Sequence, residues 1–221
     1  PNIFILYILS IITSTISTKY GIKFIKKYNF LQTIKTEGPK SHLIKSKTPT
    51  MGGLFIIPIF FLVLSVTSSI SFKLKLALLI TIFGFFLIGF IDDYLGIKKQ
   101  INLGLKGKEK LMLQIFFSSF FVIFLFYNNL INYNVIFLND LIVNLNHYII
   151  PFSILTIIAL SNSVNLTDGL DGLAAGCSSI VLCGLGTEIL LKNDKNYLIF
   201  SLLSFCMSGL CLGFLKHNKY P

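Results

Sequence analysis

Hydrophobic residues fall into long runs broken by short polar stretches, with neither the alternation of a half-buried strand nor a sustained heptad. A membrane-spanning helix takes about 20 mainly apolar residues. Seven runs approach that length: Asn2–Thr18, Met51–Ile70, Leu74–Ile91, Leu111–Tyr127, Tyr148–Val164, Leu173–Leu191 and Tyr197–Leu215. They predict an all-α, polytopic transmembrane bundle filling residues 1–221 as a single domain, with no internal repeat and no low-complexity linker. Between the fourth and fifth runs, Asn128–His147 has no lysine and an apolar centre, VIFLNDLIV, which predicts an amphipathic piece lying on the membrane surface.

Composition strengthens the membrane assignment. Hydrophobic residues make up 54% of the chain and charged residues 13%, against roughly a quarter charged in soluble domains. The net charge of +10 comes from 19 lysines without any arginine, and a basic balance alone would admit a nucleic-acid partner. The positions of the lysines argue otherwise. Eight lie between Lys19 and Lys47, five between Asp92 and Lys110, and two after Leu215, while only Lys73, Lys75, Lys192 and Lys195 fall on the other side of the predicted spans. This is the positive-inside bias: the partner is a lipid bilayer and no nucleic acid is expected, with Pro1 outside and Pro221 inside. Cys177, Cys183, Cys206 and Cys211 lie in apolar segments without a C-x-x-C pair and are expected to be buried small hydrophobes. The chain starts at Pro1 with no initiator Met and no cleavable signal, so an internal segment of a longer protein is expected.

With that topology the unusual polar groups collect on the inner face. Asp92 and Asp93 close an apolar run; carboxylates at the edge of hydrocarbon are costly and need partners or a task. They read either as solvated helix-end acids or as a hard-cation site, since magnesium favours one or two carboxylates plus phosphate oxygens. In NLTDGLDGLA, Gly169 and Gly172 disfavour regular helix and permit close approach of a ligand, while Asp168 alternatively serves as N-cap of the sixth span. KTPTMGG brings Thr48 and Thr50 and the pair Gly52–Gly53 to a helix start, where free N–H groups favour anions. Lys45, Lys47, Lys106, Lys108 and Lys110 read equally as positive-inside lysines or phosphate ligands. His42 lies in the first basic loop, His217 beside Asn218 in the tail, and His147 outside with no role. Acids for a metal, lysines for phosphates and a glycine-rich turn at one membrane face describe phosphoryl transfer between a soluble diphosphate and a lipid phosphate, where positioning and charge neutralisation dominate.

Five ordered motifs, GPKSHLIKSKTPTMGG, GFIDDYLG, NLGLKGKEKLMLQ, NSVNLTDGLDGLA and GLCLGFLKHNKYP, make the chain resemble the phospho-N-acetylmuramoyl-pentapeptide transferases, within the polyprenyl-phosphate hexosamine-1-phosphate transferases of glycosyltransferase family 4. The resemblance implies a ten-span bacterial inner-membrane enzyme of peptidoglycan synthesis with a cytoplasmic magnesium site. It would transfer phospho-MurNAc-pentapeptide from its UDP carrier to undecaprenyl phosphate and release UMP, and it leaves a homodimer open. By motif match, Asp92 and Asp93 are the family's acidic pair, assigned to magnesium or to deprotonation of the lipid phosphate, and Asp168 joins them as catalytic. Lys45, Thr50 and Lys110 match positions around the phosphates, and Asn165, Asp168, Asp171 and Asn218 match positions near the nucleotide. Lys47, Lys216 and His217 depart from the family pattern without touching these positions. The family continues past NxYP into an FMGD segment and a run of three histidines, so a fragment inactive by itself is expected.

Two other functions stay in view. A sister transferase would take UDP-N-acetylglucosamine. A non-enzymatic transporter or membrane subunit would line a polar path with carboxylates near mid-span, whereas all but Glu188 fall in loops or at predicted span ends.

Overall fold

The structure, a computed structural model, describes residues 2–28, 51–67, 70–99, 104–136, 141–192 and 197–218. The helices are α1 (Ile3–Lys27), α2 (Gly53–Val66), α3 (Phe72–Lys99), α4 (Gly107–Tyr127), α5 (Ile149–Thr167), α6 (Leu173–Leu191) and α7 (Leu198–Asn218). Six of these regions are long and apolar enough to cross a bilayer. The protein is an all-α, multi-span membrane bundle.

Among the described residues of the expected second span, Met51–Ile70, the helix is the 14-residue α2, about 21 Å at the usual rise. Met51 sits in the left-handed region at φ 65 and Thr67 is extended, so backbone conformation stops the helix at both ends, at the C-terminal end where the polar run Thr67-Ser68-Ser69 begins. Four helices overrun the C-terminal ends of their apolar runs instead: α1 continues to Lys27, α3 to Lys99, α5 to Thr167 and α7 to Asn218, because a helix leaving hydrocarbon keeps its own hydrogen bonds. Within the Asn128–His147 segment, β1 (Asn134–Ile136) pairs antiparallel with β2 (Ile142–Asn144).

α7 is the most buried span and packs along α1 and α6. Its Gly209 and Gly213 form a small-xxx-small pair. A Cβ at Gly209 would stand 2.7 Å from the Tyr7 carbonyl oxygen, and one at Gly213 2.5 Å from that of Ile11, so the α1 backbone lies directly against α7. Hydroxyls fill the remaining space: Ser14 Oγ donates to the Leu210 carbonyl at 2.6 Å, Ser208 Oγ to the Ser179 carbonyl at 2.8 Å and Ser201 Oγ to the Gly186 carbonyl at 2.7 Å. An apolar cluster of Ile56, Phe60, Leu64, Leu202, Leu203, Cys206 and Leu210 joins α2 to α7. All four cysteines are free; Cys206 is buried as expected, Cys183 and Cys211 are partly buried, and Cys177 is exposed on α6.

Candidate functional site

Of the predicted groups, Asp92, Lys110 and Asn165 meet, with Asp93 beside them on α3, near the starts of α2 and α4 and the C-terminal ends of α3 and α5. Asp92 and Asp93 are not helix-end acids: α3 continues to Lys99 beyond them. Neighbouring positions in a helix point about 100° apart, which gives the two carboxylates different partners. Asp93 Oδ2 accepts the Met51 N–H at 3.1 Å. Met51 donates from its left-handed conformation at φ 65, rarely adopted by a residue with a side chain; this strained turn aims the amide at the carboxylate.

Asp92 instead faces the approach to α4. Its Oδ1 accepts the Leu105 N–H at 2.8 Å and its Oδ2 contacts Lys110 Nζ at 3.3 Å. The chain can fold back this closely because residue 104 is glycine: a Cβ there would collide with the Asp92 carbonyl and carboxylate. Lys110 lies in the first turn of α4, where the helix dipole disfavours a cation. Asp92 offsets that cost, and Asn165 Oδ1 accepts a second Lys110 hydrogen bond at 3.0 Å. One lysine thus bridges α3 and α5.

Asn165 leads into the turn carrying Asp168 and Asp171. Asp168 is the C-cap of α5, its N–H donating to the Asn165 carbonyl at 3.3 Å. The N-cap of α6 is Gly172 at φ 80, without a side-chain cap, which replaces the alternative of Asp168 as an N-cap: the left-handed backbone at Gly172 starts the helix unaided. Asp168 is exposed overall. Partial burial of its carboxyl raises its pKa, and the charge of Asp171 raises it further.

Asn218 ends α7 on the same side of the bundle, as the contact of Gly52 with Phe214 shows; among the described residues no hydrogen bond joins it to the Lys110 cluster. Lys45, Lys47, Thr48, Thr50 and His42 lie outside the described residues. Among the described residues, no three His, Cys, Asp or Glu side chains converge to hold a metal. Asp92 and Asp93 nonetheless offer hard oxygen donors, and magnesium often takes one or two carboxylates and completes its sphere with water and substrate phosphate. The donor chemistry therefore fits that ion. A second polar layer joins Gln114 to Ser161 and Asn162; Gln114 closes the NLGLKGKEKLMLQ motif and Asn162 opens NSVNLTDGLDGLA, but neither carries a role in the sequence reading.

Comparison with known proteins identifies the family. The profile of Glycosyl transferase family 4 matches residues 75–221, and phospho-N-acetylmuramoyl-pentapeptide-transferase signature 1 matches residues 45–57. A phospho-N-acetylmuramoyl-pentapeptide-transferase from Prochlorococcus marinus (strain MIT 9215) is 54% identical over 216 residues, covering 97% of this chain and 60% of the relative. The enzyme of that name from Caldanaerobacter subterraneus subsp. tengcongensis is 38% identical over 214 residues, covering 97% and 66%. The chain thus spans about three fifths of the length of the curated relatives it matches first. With the profile covering most of its spans and both acidic motifs, the chain belongs to glycosyl transferase family 4.

Proposed function

We propose that this chain contributes the inner-face site of a phospho-N-acetylmuramoyl-pentapeptide transferase, moving phospho-MurNAc-pentapeptide from UDP to undecaprenyl phosphate. The observation that carries the reading is the Lys110 bridge between Asp92 and Asn165, which ties the acidic pair to the turn bearing Asp168 and Asp171. The relatives' shared name and the signature match at residues 45–57 support the MurNAc-pentapeptide donor over UDP-N-acetylglucosamine. The lysine distribution supports a bacterial inner membrane with the site facing the cytoplasm.

In the reaction an oxygen of the lipid phosphate forms a bond to the sugar-bearing phosphorus of the donor. The bond from that phosphorus to the bridging oxygen breaks, and UMP leaves with the electron pair. The second pKa of a phosphomonoester is about 6, so the lipid phosphate is largely a dianion at neutral pH. It needs positioning and charge screening more than a base. Lys110 supplies a held cation beside the acidic pair, and Lys45 and Thr50 are assigned to the phosphates. Asn165, Asp168, Asp171 and Asn218 are assigned to the nucleotide side, with the glycines of the turn admitting it close to backbone. Magnesium, when bound to Asp92 and Asp93, supplies the positive charge that lets phosphates lie beside carboxylates.

The test uses the full gene product in detergent with undecaprenyl phosphate. Magnesium-dependent transfer from UDP-MurNAc-pentapeptide, with exchange of labelled UMP into the product, is expected. Turnover of UDP-N-acetylglucosamine alone would reverse the substrate assignment, and a folded protein inactive with both donors would leave the membrane-subunit alternative.

A further inference from the structure

One helical turn further into the bundle from Lys110, a second polar layer joins α4 to α5, and phosphoryl transfer assigns it no part. Gln114 is 1% exposed. Its Nε2 donates to Asn162 Oδ1 at 3.3 Å and to Ser161 Oγ at 3.3 Å. Asn162 Nδ2 answers with a bond to Gln114 Oε1 at 3.0 Å, and also donates to the Ile158 carbonyl at 3.0 Å. The two amides therefore lie head to tail, each donating to the other's oxygen.

Placed in a span, such a pair fixes relative position. An amide without a partner in apolar surroundings is costly, so any slide of α4 along α5 that parts Gln114 from Asn162 is opposed. Lys110 and Gln114 are four residues apart and share a face of α4; Asn162 and Asn165 are three apart and share a face of α5. The register that joins the amides is also the register that brings Lys110 Nζ to 3.0 Å from Asn165 Oδ1 and 3.3 Å from Asp92 Oδ2. Lysine is a flexible stem that does not fix its own geometry; the rigid layer beneath it does.

We infer that Gln114 and Asn162 are positioning residues, setting the α4–α5 register that holds Lys110 between Asp92 and Asn165 without touching substrate. The inference rests on the transferase reading of the site for its kinetic consequence, and on geometry alone for the register.

The decisive variant in the full gene product is Gln114→Leu with Asn162→Leu. It replaces both amides by apolar groups of similar size and orphans neither, while the partly buried Ser161 hydroxyl loses one long donor contact, so stability is expected to change little. With an unchanged unfolding midpoint, kcat is expected to fall about 10- to 100-fold while KM for the nucleotide sugar moves less than about 3-fold, the signature of misplacement. The exchanged pair, Gln114→Asn with Asn162→Gln, preserves the summed side-chain length and is expected to recover most of the rate. Normal kcat in the double leucine variant overturns the inference. So does a loss of rate that follows a lowered midpoint and is not recovered by the exchange. The register is read separately, in a background lacking the native cysteines, from cross-linking between Lys110→Cys and Asn165→Cys. Cross-linking is expected with the amides present and lost in the leucine background; its retention there overturns the register claim even if the parent enzyme proves inactive, an outcome that would count against the transferase reading instead.

Discussion

Along the α1–α7 contact the backbones touch because side chains are missing; along α4–α5 the helices are joined by side chains that bond across the gap. At Gly209 and Gly213 a single added carbon meets α1 backbone, and the Ser14 hydroxyl seals against the Leu210 carbonyl. At α4–α5, Lys110, Gln114, Asn162 and Asn165 carry the contact through polar atoms. The first kind sets distance through shape and tolerates loss of any one hydrogen bond. The second sets register through named atom pairs and orients a charge, at the cost of keeping polar groups near the membrane. Only the second holds the charged groups of the candidate site, so damage to the two interfaces should be separable by assay.

The largest expected effect is at the shape-defined contact. Gly213→Leu would drive a branched side chain into the Ile11 carbonyl and Ser14, neither of which moves without displacing α1. A loss of about 3 kcal/mol, the upper end of the usual range for overpacking, is expected because backbone is what the new side chain meets. Size-exclusion profiles and thermal unfolding in detergent should show loss of the folded species; a monodisperse protein with an unchanged midpoint would mean that α1 and α7 are not held together here.

The next effect separates activity from stability at the site. Asp168→Asn is expected to lower kcat/KM about 10- to 100-fold, as for loss of a charged hydrogen-bonding group, without lowering stability. The sign follows from the raised pKa of Asp168, caused by partial burial and then by Asp171. The folded state binds its proton more tightly than the unfolded state, so stability falls as pH rises from the ordinary carboxylate value of about 3.9 through the raised folded value, and is level above it. The asparagine variant lacks that loss. Its unfolding midpoint should match or exceed the parent's above this window, with the difference vanishing at lower pH. A variant less stable than the parent at neutral pH, with normal turnover, would make Asp168 a structural cap.

What the sequence made readable follows the same division. Hydropathy locates spans because hydrocarbon selects composition, but it measures where lipid ends and not where hydrogen bonds end. Hence α1, α3, α5 and α7 run past their apolar stretches, and α2 stops short at left-handed Met51 and extended Thr67. Gly169 and Gly172 announced the turn that holds Asp168 and Asp171, and Gly172 does adopt a left-handed φ of 80. The bridging of Asp92 and Asn165 by Lys110 was not readable from spacing, because it joins residues 18 and 55 positions from the lysine. Family motifs put these residues in one site without saying which touches which. The same holds for Gln114 and Asn162, which stand at the edges of two of those motifs but pair across 48 residues with no periodic signature to join them.

The smallest effect is the sharpest test of the shape-defined interface. Ser14 is fully buried between α1 and α7, and its 2.6 Å bond to the Leu210 carbonyl is the shortest hydroxyl contact between those helices. If hydroxyl bonding held them, Ser14→Ala would be as harmful as inserting bulk. The carbonyl it meets lies inside α7, however, where it serves the helix's own hydrogen bonds, so alanine orphans nothing. Alanine also preserves the close approach of the Gly213 backbone to the residue-14 Cβ. Interhelical hydrogen bonds in membranes average about 0.6 kcal/mol by double-mutant cycles, and Ser14→Ala should cost about that much with activity unchanged. Ser14→Val keeps a small apolar character but adds branches toward α7, and should be several-fold more destabilising than alanine. Equal losses for alanine and valine would show that the hydroxyl holds this contact, and the distinction between an interface set by shape and one set by atom pairs would fail.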